Sequence, residues 1–124
     1  MKTAVMPAVI GVVDDDFSIL RALQRLLGAA GFAVKTFGSG EELLVSEDLG
    51  QLQCLILDVH LNGLSGFEVE ERLAEGARRI PIVFITAHDD AATRERARRS
   101  SQYVRKPFDE HSLLDAIHAA LARP

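Results

Sequence analysis

Three stretches of the chain are continuously apolar, and each ends at a polar residue. The stretches cover residues 8–13, 54–57 and 82–85, and Asp14, Asp58 and Thr86 follow them directly. An unbroken apolar run of this length is typical of a strand that is buried on both faces, as in a parallel sheet covered by helices. The pattern therefore predicts three central strands, each delivering a polar side chain at its carboxyl end.

Two weaker segments complete the predicted strands. Residues 32–37 carry Lys35 and Thr36 among apolar side chains, which is typical of an edge strand. Residues 102–104 form a brief last strand before a polar turn that contains Lys106. The chain is thus expected to form five strands.

The first helix is predicted from apolar side chains that recur on one helical face between Ile19 and Ala30. Asp16 or Ser18 is available as its N-cap, and Gly31 is placed to end it. This helix follows the first strand without a long connection.

Two serine–glutamate pairs have the spacing of a capping box, Ser39 with Glu42 and Ser65 with Glu68. The first pair predicts a short helix, and the second predicts an acidic helix over residues 67–75. Apolar spacing from Leu113 to residue 121 predicts the closing helix. The helix over residues 91–99 has only alanines to bury, so we expect its packing free energy to be small.

Five strand–helix units predict an α/β fold, a doubly wound parallel five-stranded sheet of the (βα)5 type. The flavodoxin-like strand order 2-1-3-4-5 leaves the polar second strand at an edge. Asp14, Asp15 and Asp58 then converge on the switch point between strands 1 and 3. Thr86 and Lys106 leave the ends of the next two strands, so all five residues are expected to meet on one rim.

Crowded carboxylates repel one another and resist ionisation unless a cation lies between them. An all-oxygen set of ligands selects a hard cation, and Mg²⁺ fits best because it also leaves positions for phosphate oxygens. Lys106 and Thr86 would each contact a phosphoryl oxygen while Asp58 attacks. The pattern therefore predicts a phosphoryl-transfer site.

Composition narrows the alternatives. The chain has 124 residues, of which 48% are hydrophobic, and this predicts one domain over residues 1–124 without an output domain. The net charge of −4 argues against nucleic acid as a partner. The arginines between residues 94 and 99 are interpreted as a solvated helix face. This set comprises Arg94, Arg96, Arg98 and Arg99.

Cys54 is the only cysteine, which excludes an intramolecular disulfide and a cysteine-based zinc site. The apolar residues near the N-terminus are too few for a membrane span and do not form a signal peptide. We therefore expect a cytoplasmic protein with no membrane partner.

Four motifs in order along the chain are similar to those of one known family. They are VVDDD at residues 12–16, LILD at 55–58, FITA at 84–87 and YVRKPF at 103–108. Over nearly its whole length the chain resembles the receiver domains of two-component response regulators. The resemblance implies that a sensor histidine kinase or a histidine phosphotransfer protein supplies the phosphoryl group, and that a downstream protein target receives the signal.

The resemblance also implies roles for individual residues. Asp58 would be the phosphoacceptor, Asp15 a direct magnesium ligand, Asp14 a ligand acting mainly through water, and the His60 carbonyl a further ligand. Asp16 is interpreted as a helix cap outside the site. Such a protein catalyses only its own phosphorylation and dephosphorylation, so no enzyme acting on an external substrate is expected.

The remaining implied roles concern the response to phosphate. Thr86 and Tyr103 would form the switch pair, and the peptide bond between Lys106 and Pro107 would be cis. His60 and His88 flank the expected phosphate position, where the resemblance implies that side chains govern the approach of water and hence the phosphate's lifetime.

Two departures from the family pattern concern the output face, the surface by which the signal leaves the domain. Asn62 stands where a proline is usual, so the loop after Asp58 is expected to be less rigid. The segment from Thr86 to Lys106 is short, and Arg99-Ser100-Ser101 replaces the usual glycine-containing turn.

Two other functions are compatible with parts of the pattern. A magnesium-dependent phosphatase of the haloacid dehalogenase kind also forms an aspartyl phosphate, but its nucleophile follows the first strand in a DxD pattern. Turnover of a small phosphomonoester would distinguish it. Asn62 and the short segment also suit a receiver-like interaction module that takes no phosphate.

Overall fold

The computed structural model describes residues 7–76, 79–87, 91–100 and 102–122, without the side chains of residues 98 and 100. The strands are β1 (Val9–Val13), β2 (Ala33–Phe37), β3 (Cys54–Asp58), β4 (Ile82–Thr86) and β5 (Gln102–Arg105). The helices are α1 (Phe17–Ala29), α2 (Gly40–Leu44), α3 (Gly66–Glu75), α4 (Ala91–Ser100) and α5 (Glu110–Leu121), with a 3-10 turn at Leu49–Gln51. The predicted strand–helix units are confirmed, and their ends agree within one or two residues except at α5, which begins three residues before Leu113.

The five strands are parallel and lie in the order β2-β1-β3-β4-β5, as predicted. Along β3, Ile56 packs into the core on one face of the sheet, while Leu55 and Leu57 pack into the core on the other. Helices α1 and α5 cover the first face, and α2, α3 and α4 contribute to the second. The continuous apolar runs therefore reflect burial on both faces.

The strand register brings the candidate residues to one edge. Asp58 pairs with Ile85, and Thr86 pairs with Arg105 at the next step along the sheet. Because all strands point the same way, their carboxyl ends form a single rim. The polar residues that follow the strands therefore meet there.

Helix caps follow the sequence with one exception. Asp16 caps α1, and Ser65 with Glu68 forms the predicted capping box of α3. The box predicted for Ser39 is only half present: Ser39 accepts the Glu42 N–H, but the Glu42 side chain accepts the N–H of Gly38 rather than that of Ser39. Glu42 thus bonds to the residue before the cap.

The α4 helix makes other contacts besides those of its alanine side chains. Thr93 and Ala97 are its buried side chains within the described residues. The Arg96 guanidinium lies 4.6 Å from the ring centre of Phe67 and 3.4 Å from the Glu71 carboxylate, both on α3. Arg96 is nevertheless partly solvated, as interpreted, because 41% of its side chain is exposed. The contact with Phe67 was not predicted.

Cys54 is buried in β3, and burial raises the pKa of its thiol to about 12. A thiol with this pKa remains protonated and unreactive at neutral pH. Among the described residues, no helix is both long and apolar enough to cross a membrane.

Candidate functional site

The rim formed by the strand ends gathers the residues that the sequence singled out. Asp14 follows β1 and is 0% exposed, and Asp58 ends β3 and is 5% exposed. Asp15 lies beside them on the surface, and Thr86 is buried at the end of β4. Lys106 follows β5 and reaches back across the rim to the carboxylates.

Lys106 joins the two buried carboxylates. Its Nζ donates hydrogen bonds to Asp14 Oδ2 at 2.9 Å and to Asp58 Oδ2 at 3.1 Å. Burial alone would lower the pKa of Lys106, but the hydrogen bonds and negative charges of Asp14 and Asp58 outweigh it and raise that pKa. The ammonium group is therefore fully charged at neutral pH.

Asp58 lies in an environment that disfavours its ionised form. Burial and the charge of Asp14 raise the pKa of Asp58, against the opposing effects of Lys106 and of the His60 N–H. That N–H donates to Asp58 Oδ1 at 3.0 Å. Two hydrogen-bond donors therefore orient the carboxylate. Their effect on its pKa does not fully offset the effects of burial and of the Asp14 charge.

Asp14 is fixed from three directions. Its Oδ1 accepts the Asp16 N–H at 2.9 Å, its Oδ2 faces Lys106, and its own N–H donates to the Phe37 carbonyl at 3.2 Å. The Asp16 side chain accepts the Ser18 N–H at 2.9 Å, so it caps α1 as interpreted and takes no part in the cluster.

Three carboxylates can hold a metal ion here. One oxygen atom from each of Asp14, Asp15 and Asp58 lies within 4.8 Å of the others. Three negative charges face a single ammonium group, so the cluster has excess negative charge. An all-oxygen donor set with this excess fits Mg²⁺.

The loop after Asp58 has polar attachments that the sequence did not reveal. The Asn62 N–H donates to Asp15 Oδ2 at 3.0 Å, and the Leu64 N–H donates to Glu41 Oε2 at 3.2 Å. A proline at position 62 has no N–H and would lack the first of these bonds. Asn62 therefore lacks the fixed backbone angle of proline, but its N–H makes a hydrogen bond to the acidic cluster.

The proposed switch pair lies on neighbouring strands. The Thr86 carbonyl accepts the Lys106 N–H at 2.8 Å, which ties the end of β4 to the start of the last loop. Tyr103 pairs with Phe84 across the strands, and its hydroxyl oxygen is shielded from solvent. The Lys106–Pro107 peptide bond is cis, as the resemblance implied.

Of the two histidines expected to flank the phosphate, the structure describes His60. His60 is exposed beside Asp58, and its backbone N–H contacts that carboxylate. His88 lies outside the described residues. The structure therefore places one of the two histidines on the rim.

Residues 10–118 match the family described as the response regulator receiver domain. The chain belongs to this family. Its members are the receiver domains of two-component response regulators, which signal through phosphorylation. Receiver domains bind Mg²⁺ through an acidic pocket, and the cluster of Asp14, Asp15 and Asp58 matches that description.

Two curated relatives show how much of a longer protein is matched. This receiver domain is 42% identical to Nodulation protein W of Bradyrhizobium diazoefficiens over 118 residues, covering 94% of this chain and 52% of the relative. It is also 42% identical to Response regulator protein TmoT of Ectopseudomonas mendocina, covering 92% of this chain and 53% of the relative. The chain thus spans about half the length of these relatives.

Solved structures confirm the fold. The response regulator StyR is 42% identical, with a TM-score of 0.84 over 94% of this chain and 60% of that one. The DrrB receiver domain activated with BeF3 is 32% identical, with a TM-score of 0.82 over 95% of this chain and all of that one. The Vibrio cholerae chemotaxis protein CheY4 is 24% identical, covers 94% of this chain and 100% of that chain, and shares the fold with a TM-score of 0.85.

The acidic cluster predicts how magnesium and Asp15 affect stability. Mg²⁺ should stabilise this receiver domain by at most a few kcal/mol at millimolar concentration, and Asp15→Asn should remove most of that gain. Without metal, Asp15→Asn should melt no lower than the wild type, because it relieves repulsion and retains an oxygen that can accept the Asn62 N–H.

Thermal melts with and without Mg²⁺ check this expectation. Asp15→Ala is the informative companion, because it relieves the same repulsion but removes the acceptor of the Asn62 N–H. A metal-free Asp15→Asn variant that melts clearly below the wild type would contradict the prediction.

Proposed function

We propose that Asp58 accepts a phosphoryl group from the phosphohistidine of a sensor histidine kinase or a histidine phosphotransfer protein. The observation that carries the proposal is the position of the Asp58 carboxylate. It lies between the Lys106 ammonium at 3.1 Å and the His60 N–H at 3.0 Å, within a cluster of carboxylates that suits Mg²⁺.

The chemistry is a displacement at phosphorus. A carboxylate oxygen of Asp58 forms a bond to phosphorus as the phosphorus–nitrogen bond of phosphohistidine breaks, and the electron pair returns to the imidazole nitrogen. Burial and the His60 N–H orient the carboxylate for this attack. Lys106 is placed to exchange its contact with Asp58 for a contact with a phosphoryl oxygen.

Asp14, Asp15, Asp58 and the His60 carbonyl would hold the magnesium ion in this proposal. When bound, the ion supplies positive charge that offsets the charge of the phosphoryl oxygens. Asp14, whose Oδ1 accepts the Asp16 N–H, would act mainly through water. Thr86 supplies a hydroxyl group at the adjacent strand end.

His60 and His88 complete the proposed site as residues that set the lifetime of the aspartyl phosphate. Support for His60 comes from its exposure beside Asp58. An exposed imidazole at this position can orient water when neutral or hold the phosphate when charged. The role of His88 rests on the sequence resemblance.

The signal is proposed to leave by protein contact within the cytoplasm. Thr86 and Tyr103 would change the surface of the last two helices, α4 and α5, when Asp58 is phosphorylated. The receiver domain has a net charge of −4, which supports a protein target rather than nucleic acid as its own partner. Relatives named as transcriptional regulators, such as TdiR of Thauera aromatica, extend well beyond the matched region.

Incubation with acetyl phosphate and Mg²⁺, followed by intact mass measurement, tests the proposal. The wild type should gain one phosphoryl group, and Asp58→Asn should gain none because an amide is not a nucleophile here. Asp48→Asn is a suitable control, since Asp48 pairs with Lys35 on the surface at 3.7 Å and should not affect labelling. An unlabelled wild type, or equal labelling of Asp58→Asn, would refute the central role of Asp58.

A further inference from the structure

The loop after the candidate phosphoacceptor, residues 59–65, is attached to two other parts of the chain. We refer to it as the phosphoacceptor loop. Asp15 accepts its Asn62 N–H, and Glu41 of α2 accepts its Leu64 N–H. Gly63 between them has φ of 77°, a left-handed conformation that lets the chain turn sharply between the two attachments.

Glu41 is fitted to the backbone of this loop. A Cβ atom built on Gly63 would lie 2.5 Å from Glu41 Oε2, so the carboxylate occupies the space that a side chain would take. The Glu41 side chain is exposed, but the backbone beside it is closely packed, because the adjacent Gly40 is buried against Val69 of α3 without room for a Cβ. Glu41 therefore joins the loop to the α2–α3 layer.

The loop in turn positions the phosphoacceptor. The His60 N–H donates to Asp58 Oδ1 at 3.0 Å, and the Val59 N–H donates to the Ile85 carbonyl at 2.9 Å. At the far end, the Gly66 N–H donates to the Val59 carbonyl at 2.9 Å. The backbone bonds thus hold the ends of the loop, while Asp15 and Glu41 hold its middle.

The two carboxylates differ in what else they do. Asp15 belongs to the cluster that suits magnesium. The same carboxylate therefore accepts the Asn62 N–H and can also bind the metal. Glu41 is not a member of that cluster within the described residues. Its bond to Leu64 is therefore independent of the metal ligands.

We propose that Glu41 is a positioning residue that holds the phosphoacceptor loop while Asp15 binds magnesium. This inference rests on the proposed function of Asp58 and adds a residue to it. Without Glu41, the loop must be ordered at the moment the metal binds, and that ordering lowers the affinity. The effect should appear in magnesium binding before it appears in the maximal rate of phosphorylation.

The first measurement asks whether the bond exists in solution, using backbone amide proton signals without metal. Glu41→Ala should move the Leu64 signal and leave that of Gly38 unchanged. Glu42→Ala is the matched control: its side chain accepts the Gly38 N–H, so it should move Gly38 and leave Leu64 unchanged. Glu41→Gln retains an oxygen acceptor and should keep the Leu64 signal close to that of the wild type.

The second measurement is magnesium affinity, followed by the His60 amide signal. Glu41→Ala should bind Mg²⁺ about fivefold more weakly, the scale of one typical hydrogen bond. Glu41→Gln and Glu42→Ala should bind close to wild type. Both controls lose one negative charge, as Glu41→Ala does, so they separate the hydrogen bond from the change in net charge.

Three results would overturn the inference. One is a Leu64 signal that Glu41→Ala does not move. Another is unchanged magnesium affinity in Glu41→Ala. The third is an equal loss of affinity in Glu41→Gln, which would assign the effect to charge. A wild type that takes no phosphate on Asp58 would refute the proposed function instead, and the amide and magnesium measurements would still decide whether Glu41 positions the loop.

Discussion

Replacing Lys106 with alanine is expected to lower the free energy of unfolding by about 3 kcal/mol at neutral pH without metal. The substitution leaves the buried carboxylates of Asp14 and Asp58 facing each other without the ammonium group that now contacts both. Chemical denaturation of the wild type and of Lys106→Ala measures the difference directly.

The pH dependence of this loss follows from the direction of the pKa shifts. The pKa of Lys106 is raised above 10.5, so in the wild type the stabilising contribution of its ammonium group to the ion pairs with Asp14 and Asp58 is fully present below that value. The variant lacks these ion pairs. The pKa of Asp58 is raised above 3.8 in the fold, so its contribution to stability falls as the pH rises through that window. Lys106 lowers the pKa of Asp58, so its removal raises that pKa further, and the deficit should shrink as the pH falls below neutral.

Lys35→Ala is the matched control for this experiment. Lys35 lies 3.7 Å from Asp48 with 44% of its side chain exposed, compared with 19% for Lys106. An exposed pair of this kind contributes less than about 1 kcal/mol. Magnesium should also stabilise Lys106→Ala more than the wild type, because a competing cation has been removed. Equal losses in the two lysine variants at neutral pH would contradict the role given to Lys106.

The success of sequence reasoning for the strands has a simple physical origin. The first four residues of β3 and of β4 are buried and apolar, so each run was visible without any tertiary information. The polar residue that ends each run then located the rim. The 3-10 turn at Leu49–Gln51 has no comparable pattern, because three residues are too few to show a period.

The parts of the site that were missed depend on contacts between distant segments. Nothing in the local sequence indicates that Glu41 reaches Leu64, or that Asp15 accepts the N–H of Asn62, 47 residues away. Glu42 followed a capping-box spacing yet bonded to Gly38, because the spacing allows either N–H. The contact of Arg96 with Phe67 was not predicted, because Phe67 lies on another helix.

The phosphate mimic beryllofluoride, added with Mg²⁺, is expected to change amide hydrogen exchange in α4 by about tenfold or more, which corresponds to a shift of a little over 1 kcal/mol in opening free energy. Changes in α1 and α5 should be smaller. The reason is the difference in burial, since α1 buries Leu20, Leu23 and Leu27, while α4 buries Thr93 and Ala97 within the described residues. A buried leucine contributes about 2 kcal/mol more than an exposed one, so the position of α4 is the easiest to shift.

Arg96 provides an independent test of what holds α4 in place. Its guanidinium contacts the ring of Phe67 and the carboxylate of Glu71, so Arg96→Ala should raise exchange in α4 even without the mimic. Arg99→Ala is the control, because Arg99 is exposed on the same helix and should leave exchange unchanged. If exchange throughout α4 is the same with and without beryllofluoride in a wild type shown to bind it, phosphate at Asp58 does not act through this helix. The signal must then leave by another part of the domain.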